Sequence, residues 1–148
     1  MTVIFVLSEE YGQLYLINCD NITIENQEMT SPIFAINAWL CNNLLIQNNY
    51  FGRYQPAICQ RFSAIWLYTC NNISIENNNF EYRYSAASIH NSQEIVLRSN
   101  NIENGDQGFS IGKSENCTIE GNFVYACKYL FELREVNNTL IDSISVLT

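Results

Sequence analysis

Positive charge is scarce in this chain. Against 15 Asp and Glu stand 7 Lys and Arg among 148 residues, a formal net charge of −8. Nucleic acid and anionic membrane surfaces need a basic footprint, so neither is expected as a partner. A polyanionic substrate is disfavoured too, unless a cation bridges the two. No stretch approaches the roughly 18 apolar residues of a membrane-spanning helix. The apolar run at Met1–Ser8 has no basic residue before it and no small-residue cleavage site after it. It reads as a strand or partial first coil over residues 1–11 rather than a signal peptide. No Cys-x-x-Cys pair, phosphate-binding glycine loop, nucleophile elbow or metal-ligand cluster occurs, so no cofactor and no metal are expected. Histidine is represented once, by His90.

What is present is repetition. The stretch Cys70-Asn71-Asn72-Ile73-Ser74-Ile75-Glu76-Asn77-Asn78-Asn79-Phe80 recurs in variant form from Cys19, Cys41, Ser92, Ser114 and Val136, at separations of 22, 29, 22, 22 and 22 residues. A fixed period in this range is the mark of a solenoid. Within each copy the fourth and sixth positions are apolar (Ile22/Ile24, Leu44/Ile46, Ile73/Ile75, Ile95/Leu97, Cys117/Ile119, with Thr139/Ile141 weaker), the alternation of a half-buried strand. The seventh position (Glu25, Gln47, Glu76, Arg98, Glu120, Asp142) then faces solvent. A short turn follows with Asn49, Asn78, Asn100 and Asn122 at one position, where asparagine suits both left-handed backbone and side-chain stacking. Met29, Phe51, Phe80, Ile102, Val124 and Val146 close the turn with an inward side chain.

The six cysteines fit the same frame. Cys19, Cys41 and Cys70 share one repeat position and Cys117 takes an inward one, so they read as reduced, buried fillers rather than a disulfide framework. Cys59 and Cys127 lie between repeats. The sequons at Asn21, Asn72, Asn116 and Asn137 are by-products of the repeat, their asparagines serving the turn.

A second alternating strand precedes each copy: Leu14/Leu16, Ile36/Ala38, Ile65/Leu67, Ala87/Ile89, Phe109/Ile111 and Phe131/Leu133. This decides the fold. A leucine-rich repeat shares the Ile73-x-Ile75-x-x-Asn78-x-Phe80 spacing but returns through segments with apolar residues three and four apart. Here the return alternates by two. The expected fold is all-β, a parallel β-helix of about six coils with a 22-residue period over residues 12–148. Seven extra residues enlarge the turn at 52–63, and insertions in solenoids often frame a binding face.

With the left-handed hexapeptide pattern absent, the chain from Gly12 to Val146 resembles the right-handed parallel β-helix repeat family, the pectate-lyase-like group that includes NosD-type proteins. The resemblance implies the fold and a link to polysaccharides, with an extracellular or surface setting, whereas reduced cysteines would suit the cytoplasm. Compartment is therefore not readable. One segment, Asn104-Gly105-Asp106-Gln107-Gly108-Phe109-Ser110-Ile111, looks like the Asn-Gly-Asp-Asp entry to a catalytic strand of polygalacturonases. Asp106 matches the first aspartate, but Gln107 replaces the second. The preceding Tyr84-Ser85-Ala86-Ala87 lacks the family's other aspartate, and Lys128-Tyr129-Leu130 lacks its Gly-His-Gly.

The outward residues of the second strand form two rows, Tyr15, Asn37, Trp66, Ser88, Ser110 and Glu132 beside Ile17, Trp39, Tyr68, His90, Gly112 and Arg134. Coils about 4.8 Å apart bring each row into a file. Trp39, Trp66 and Tyr68 would wall a low floor of Ser88, Ser110 and Gly112, with Glu132 and Arg134 opposite. Exposed rings beside small polar residues suit a sugar, with Trp66 as the chief stacking residue and Tyr15, Asn37 and Asp106 as further contacts. The same rings could instead lie under the enlarged turn or another chain.

An enzymatic reading uses His90 and Tyr68 as proton-transfer groups and Arg134 as a clamp, giving a lyase or epimerase. Inverting hydrolysis is disfavoured. Asp106 and Glu132 would lie roughly 13 Å apart at the usual strand rise, beyond the ~6.5–9.5 Å such a pair needs. Three functions stand open at this point: binding of a poly- or oligosaccharide, more readily neutral than anionic; assembly by end-to-end stacking or surface display; and polysaccharide lyase or epimerase chemistry. No capping helix is expected at either end, which leaves the strand edges there available for self-association.

Overall fold

Apolar side chains that recur every second residue, and again one coil later, can all be buried if successive coils stack with like residues in contact. The computed structural model describes residues 3–7, 13–30, 33–52, 62–81 and 84–147, and of 3–7 the backbone path alone. It forms a three-sided parallel β-solenoid with no helix among the described residues. The first sheet contains β1 (Val3–Leu7), β2 (Gln13–Ile17), β5 (Ile36–Trp39), β8 (Ser63–Tyr68), β11 (Ser85–His90), β14 (Gln107–Gly112) and β17 (Tyr129–Arg134). The second contains β3 (Asp20–Glu25), β6 (Asn42–Gln47), β9 (Asn71–Glu76), β12 (Gln93–Arg98), β15 (Glu115–Glu120) and β18 (Asn137–Asp142). The third contains the short strands β4 (Glu28–Met29), β7 (Tyr50–Phe51), β10 (Asn79–Glu81), β13 (Asn101–Glu103), β16 (Phe123–Tyr125) and β19 (Ser145–Leu147).

Register follows the repeat. Ile73 pairs with Leu44 and Ile95, Ile65 with Ile36 and Ala87, and Phe80 with Phe51 and Ile102. All of these side chains are buried. Each Ile or Phe removed from water in this way contributes about 1.5–3 kcal/mol, the main favourable term for the solenoid. Phe51 and Phe80 stack at 4.8 Å between ring centroids, and Phe109 and Phe131 at 6.1 Å. The N-terminal segment departs from a coil turn: β1 runs antiparallel to β2, Val3 opposite Ile17 and Leu7 opposite Gln13.

From the sequence one set of asparagines suits both left-handed backbone and side-chain stacking; the structure divides these two roles between different asparagines. Asn49, Asn78, Asn100 and Asn122 are buried and form an amide ladder. Asn78 Nδ2 donates to Asn100 Oδ1 at 3.1 Å and to the Ile46 carbonyl at 2.9 Å, and the Asn78 backbone N–H donates to the same Asn100 Oδ1. Left-handed backbone falls to other residues, at the corners (Asn18, Asn91, Asn26, Asn48, Asn77) and one step inside the second sheet (Asn21, Asn43, Asn72, Asn116, Asn138). Asparagine tolerates that geometry better than other residues with a Cβ, which explains its abundance here. Of the sequon asparagines, Asn21, Asn72 and Asn116 serve such positions, while Asn138 rather than Asn137 does so in the last copy.

Cys19, Cys41, Cys70 and Cys117 are buried, Cys127 is half-buried, and Cys59 lies outside the described residues. The position shared by Cys19, Cys41 and Cys70 continues as a second ladder: Cys70 N–H donates to Ser92 Oγ at 3.0 Å, and Ser92 N–H to Ser114 Oγ at 3.2 Å. The outward acidic row is partly neutralised, since Arg98 pairs with Glu120 at 2.5 Å and reaches Glu76 at 3.8 Å.

Candidate functional site

Parallel register carries the outward residues of the first sheet into two files. Trp39 sits opposite Tyr68, Tyr68 opposite His90, His90 opposite Gly112, and Gly112 opposite Arg134. In the neighbouring file Tyr15, Asn37, Trp66, Ser88, Ser110 and Glu132 follow one another. The two files differ in exposure. Trp39 and Tyr68 are 49% and 42% exposed, with ring centroids 6.1 Å apart at an interplanar angle of 50°. Ile17 and Leu40 beside them are also exposed.

The second file is partly covered. Trp66 is half-buried, its ring 5.4 Å from Phe34 and 5.2 Å from His90, and Phe34 in turn meets Phe62 edge-on at 5.1 Å. Phe62 is the last residue before β8, so the end of the enlarged turn contributes to this cover; residues 53–61 of that turn lie outside the described residues. Phe34 and Phe62 were not singled out in the sequence, because neither falls on the alternating positions. Their signal is a bulky ring just ahead of the strand in two successive coils. Asn37 is half-buried, and its Oδ1 is a buried acceptor with no partner among the described residues.

The expected floor is filled rather than open. Ser88 is buried, its Oγ 2.5 Å from Ser63 Oγ. His90 leans over Gly112, where a Cβ would come within 2.8 Å of His90 Nδ1. At the far end Glu132 pairs with Arg134 and lies 3.4 Å from both Ser110 Oγ and Gln107 Nε2. Asp106 is exposed at the corner before β14. Ser110, not Asp106, stands opposite Glu132, so the two carboxylates stay offset along the strand. Trp39, Tyr68, Trp66 and His90 thus form one cluster, with Tyr15 and Asn37 at its edge. Ser110, Glu132 and Arg134 form a second, and Asp106 belongs to neither.

Burial pushes the His90 imidazole below its ordinary value of 6.5, while the Glu132 carboxylate acts to raise it and the Arg134 guanidinium to lower it. A neutral ring therefore fits between Trp66 and Gly112 at neutral pH. Below pH 6.5 the unfolded chain takes up the proton first, so stability is full above that value and declines as pH falls through the folded-state pKa. Melting temperature is expected to drop between pH 7 and pH 5, and to drop less in His90→Gln. An NMR titration placing the His90 midpoint above 6.5 would contradict this.

A second concavity, a cleft of about 360 Å³ at the corner between the first and second sheets, is lined by Asn91, Gln93, Lys113, Glu115, Glu135 and Asn137 among others. No aromatic ring lines it. Among the described residues no group of His, Cys, Asp and Glu is placed to hold a metal ion.

A family profile described as a right-handed beta helix region matches residues 6–123, and the chain belongs to this family. No curated protein sequence matches it. Among solved structures it is similar to the crystal structure of PfbA, a surface adhesin of Streptococcus pneumoniae, with a TM-score of 0.65 and 19% sequence identity. The match covers 75% of this chain and 33% of the PfbA chain, so this chain corresponds to about a third of that protein.

Proposed function

We propose that the chain is a surface-displayed, glycan-binding β-helix that holds a neutral oligosaccharide against Trp39 and Tyr68. The observation that carries this reading is the pair of adjacent, half-exposed rings on a flat sheet face whose neighbouring aromatics are packed. An indole and a phenol side by side present the apolar surface that the C–H face of a pyranose covers. They do so without the positive charge an anionic polymer would call for, which fits a chain of net charge −8. Similarity to a surface adhesin supports display on a surface.

Binding is favoured over turnover by the state of the candidate catalytic groups. His90 is committed to packing against Trp66 and Gly112, and Arg134 to an ion pair with Glu132. A lyase or epimerase would need His90 or Tyr68 free to reach a sugar proton while Arg134 held its neighbour.

Because Trp66 is half-buried and Trp39 is exposed, the substitution that tests this reading is at Trp39 rather than Trp66. Trp39→Ala is expected to weaken retention on an immobilised neutral polysaccharide about thirtyfold, the ~2 kcal/mol of an aromatic anchor, with an unchanged melting curve. Trp66→Ala is expected to lower the melting temperature, because its ring is packed between Phe34 and His90. Unchanged retention in the Trp39→Ala, Tyr68→Ala double variant across a panel of neutral glycans that the parent retains would remove the proposal.

A further inference from the structure

We propose that the bound oligosaccharide runs on from Trp39 and Tyr68 along the corner between the first and second sheets, into the polar cleft there, where Gln93, Lys113 and Glu115 read its hydroxyls. This rests on the glycan-binding reading above and adds to it a part that sets specificity. The corner is one continuous line. Leu40, Thr69, Asn91, Lys113 and Glu135 stand on successive coils, each directly after a residue of the Trp39 file. The backbone N–H of Leu40 donates to the Tyr68 carbonyl, that of Thr69 to His90, of Asn91 to Gly112 and of Lys113 to Arg134. A chain seated beside Trp39 and Tyr68 therefore reaches the cleft without leaving this line. From Leu40 to Glu135 the line rises roughly 19 Å at the usual strand spacing.

The polar groups of the cleft are uncommitted. Among the described residues the ion pairs are those of Arg98 with Glu76 and Glu120 and of Arg134 with Glu132, so Lys113, Glu115 and Glu135 have none. Amides elsewhere on the outer surface bond to the neighbouring coil, Asn43 to Asp20, Asn72 to Asn43 and Asn138 to Asn116. The side chains of Asn91 and Gln93 have no such partner among the described residues. These groups converge on about 360 Å³ of space, enough for a small ligand or a few units of a longer one.

The backbone argues the same way. Corner residues hold positive φ, 57° at Leu40, 50° at Lys113 and 54° at Glu135. Asparagine tolerates that geometry and takes the position at Asn18 and Asn91. Leucine, lysine and glutamate bring the backbone no such relief, so what they bring is the side chain.

The lining defines the ligand. No ring lines the cleft, so stacking ends at Tyr68 and hydrogen bonding takes over. Carboxylate and carboxamide oxygens accept from hydroxyls on adjacent ring carbons, and the Lys113 ammonium donates to a hydroxyl or ring oxygen. Two carboxylates, Glu115 and Glu135, against one ammonium disfavour a uronic acid at these units. The rings grip the C–H face of any pyranose. The cleft separates one hydroxyl pattern from another, because a site built to bond a hydroxyl rejects the analogue that lacks it. A pyranose unit lengthens an extended chain by about as much as one coil lengthens the solenoid, so the whole line fits about five units.

The test is calorimetric titration of the 148-residue chain with neutral β-1,4-linked oligomers of glucose, mannose and xylose. Each is used as disaccharide, as hexasaccharide and as O-methylated hexasaccharide. One hexasaccharide is expected to bind about tenfold or more tighter than its disaccharide, and O-methylation to abolish the difference. Lys113→Ala and Glu115→Gln are each expected to weaken the hexasaccharide about tenfold while leaving the disaccharide and the melting curve unchanged. Trp39→Ala should weaken both. If Trp39→Ala weakens both but the cleft variants leave the hexasaccharide unchanged, or length brings no gain, this inference falls and the glycan-binding reading stands. If no oligomer binds, or Trp39→Ala affects neither length, both fall together.

Discussion

Replacing Asn100 with alanine is expected to destabilise the solenoid by about 4 kcal/mol or more. Its Oδ1 accepts from both the backbone N–H and the Nδ2 of Asn78, and its own Nδ2 donates to the Ile75 carbonyl at 2.8 Å and to Asn122 Oδ1 at 3.0 Å. The residue is 1% exposed, so water does not take over these roles. Truncation strands two Asn78 donors and one carbonyl, each a loss of about 1–3 kcal/mol. That is a large share of the roughly 5–15 kcal/mol that holds a typical domain together.

Asn100→Leu separates bonding from packing. It restores most of the volume but none of the bonds, and is expected to be nearly as destabilising. Asn79→Ala is the matched control, because that exposed amide only accepts from Asn101, and it should shift stability by no more than about 0.5 kcal/mol. Urea unfolding of the three variants reads this directly. A loss below 1 kcal/mol for Asn100→Ala would show that the ladder is incidental to stability.

The repeat made most of the fold legible because a solenoid turns sequence period into spatial contact one-to-one. Ile73, Ile75 and Phe80 could be placed inside from alternation alone, and so could Ile65 and Leu67. Exposure followed less well, since it depends on what lies above the sheet. Trp66 and Tyr68 look equivalent in sequence, two residues apart on one strand face. Phe34, a residue off the alternating pattern, tilts against Trp66 and leaves Tyr68 open. Alternation alone places Ser88 on an open floor, but the Ser63 hydroxyl closes over it.

The division of labour among asparagines was likewise hidden. Ladder and corner positions draw on the same residue for different reasons, one for its amide and one for its tolerance of positive φ. The antiparallel course of β1 had no periodic signal at all, since a strand that caps a repeat need not share its pattern.

Gly108 marks another file that alternation did not reveal. Six residues before the repeat starts at Cys41, Cys70, Ser92 and Ser114 stand Ala35, Ala64, Ala86 and Gly108, all buried. The file narrows to glycine where the last coil comes closest: a Cβ on Gly108 would lie 2.3 Å from the Leu130 carbonyl oxygen. The obstacle is backbone, so relief requires β17 to move away from β14 over the paired stretch from Gln107–Tyr129 to Gly112–Arg134.

Gly108→Ala is therefore expected to cost about 3 kcal/mol, the upper part of the range for overpacking a close contact. The damage should concentrate in β17–β19, whose amides would exchange faster while β8–β12 stay protected. Gly52→Ala is the useful contrast. The atoms nearest its added methyl belong to the Tyr50 side chain, at 2.7 Å, and although the Tyr50 hydroxyl donates to Glu81, a side chain yields more readily than backbone. If the two variants lost equal stability, or if exchange in Gly108→Ala accelerated uniformly along the solenoid, the last coil would not be held by this contact. It would then be as firmly seated as the coils beneath it.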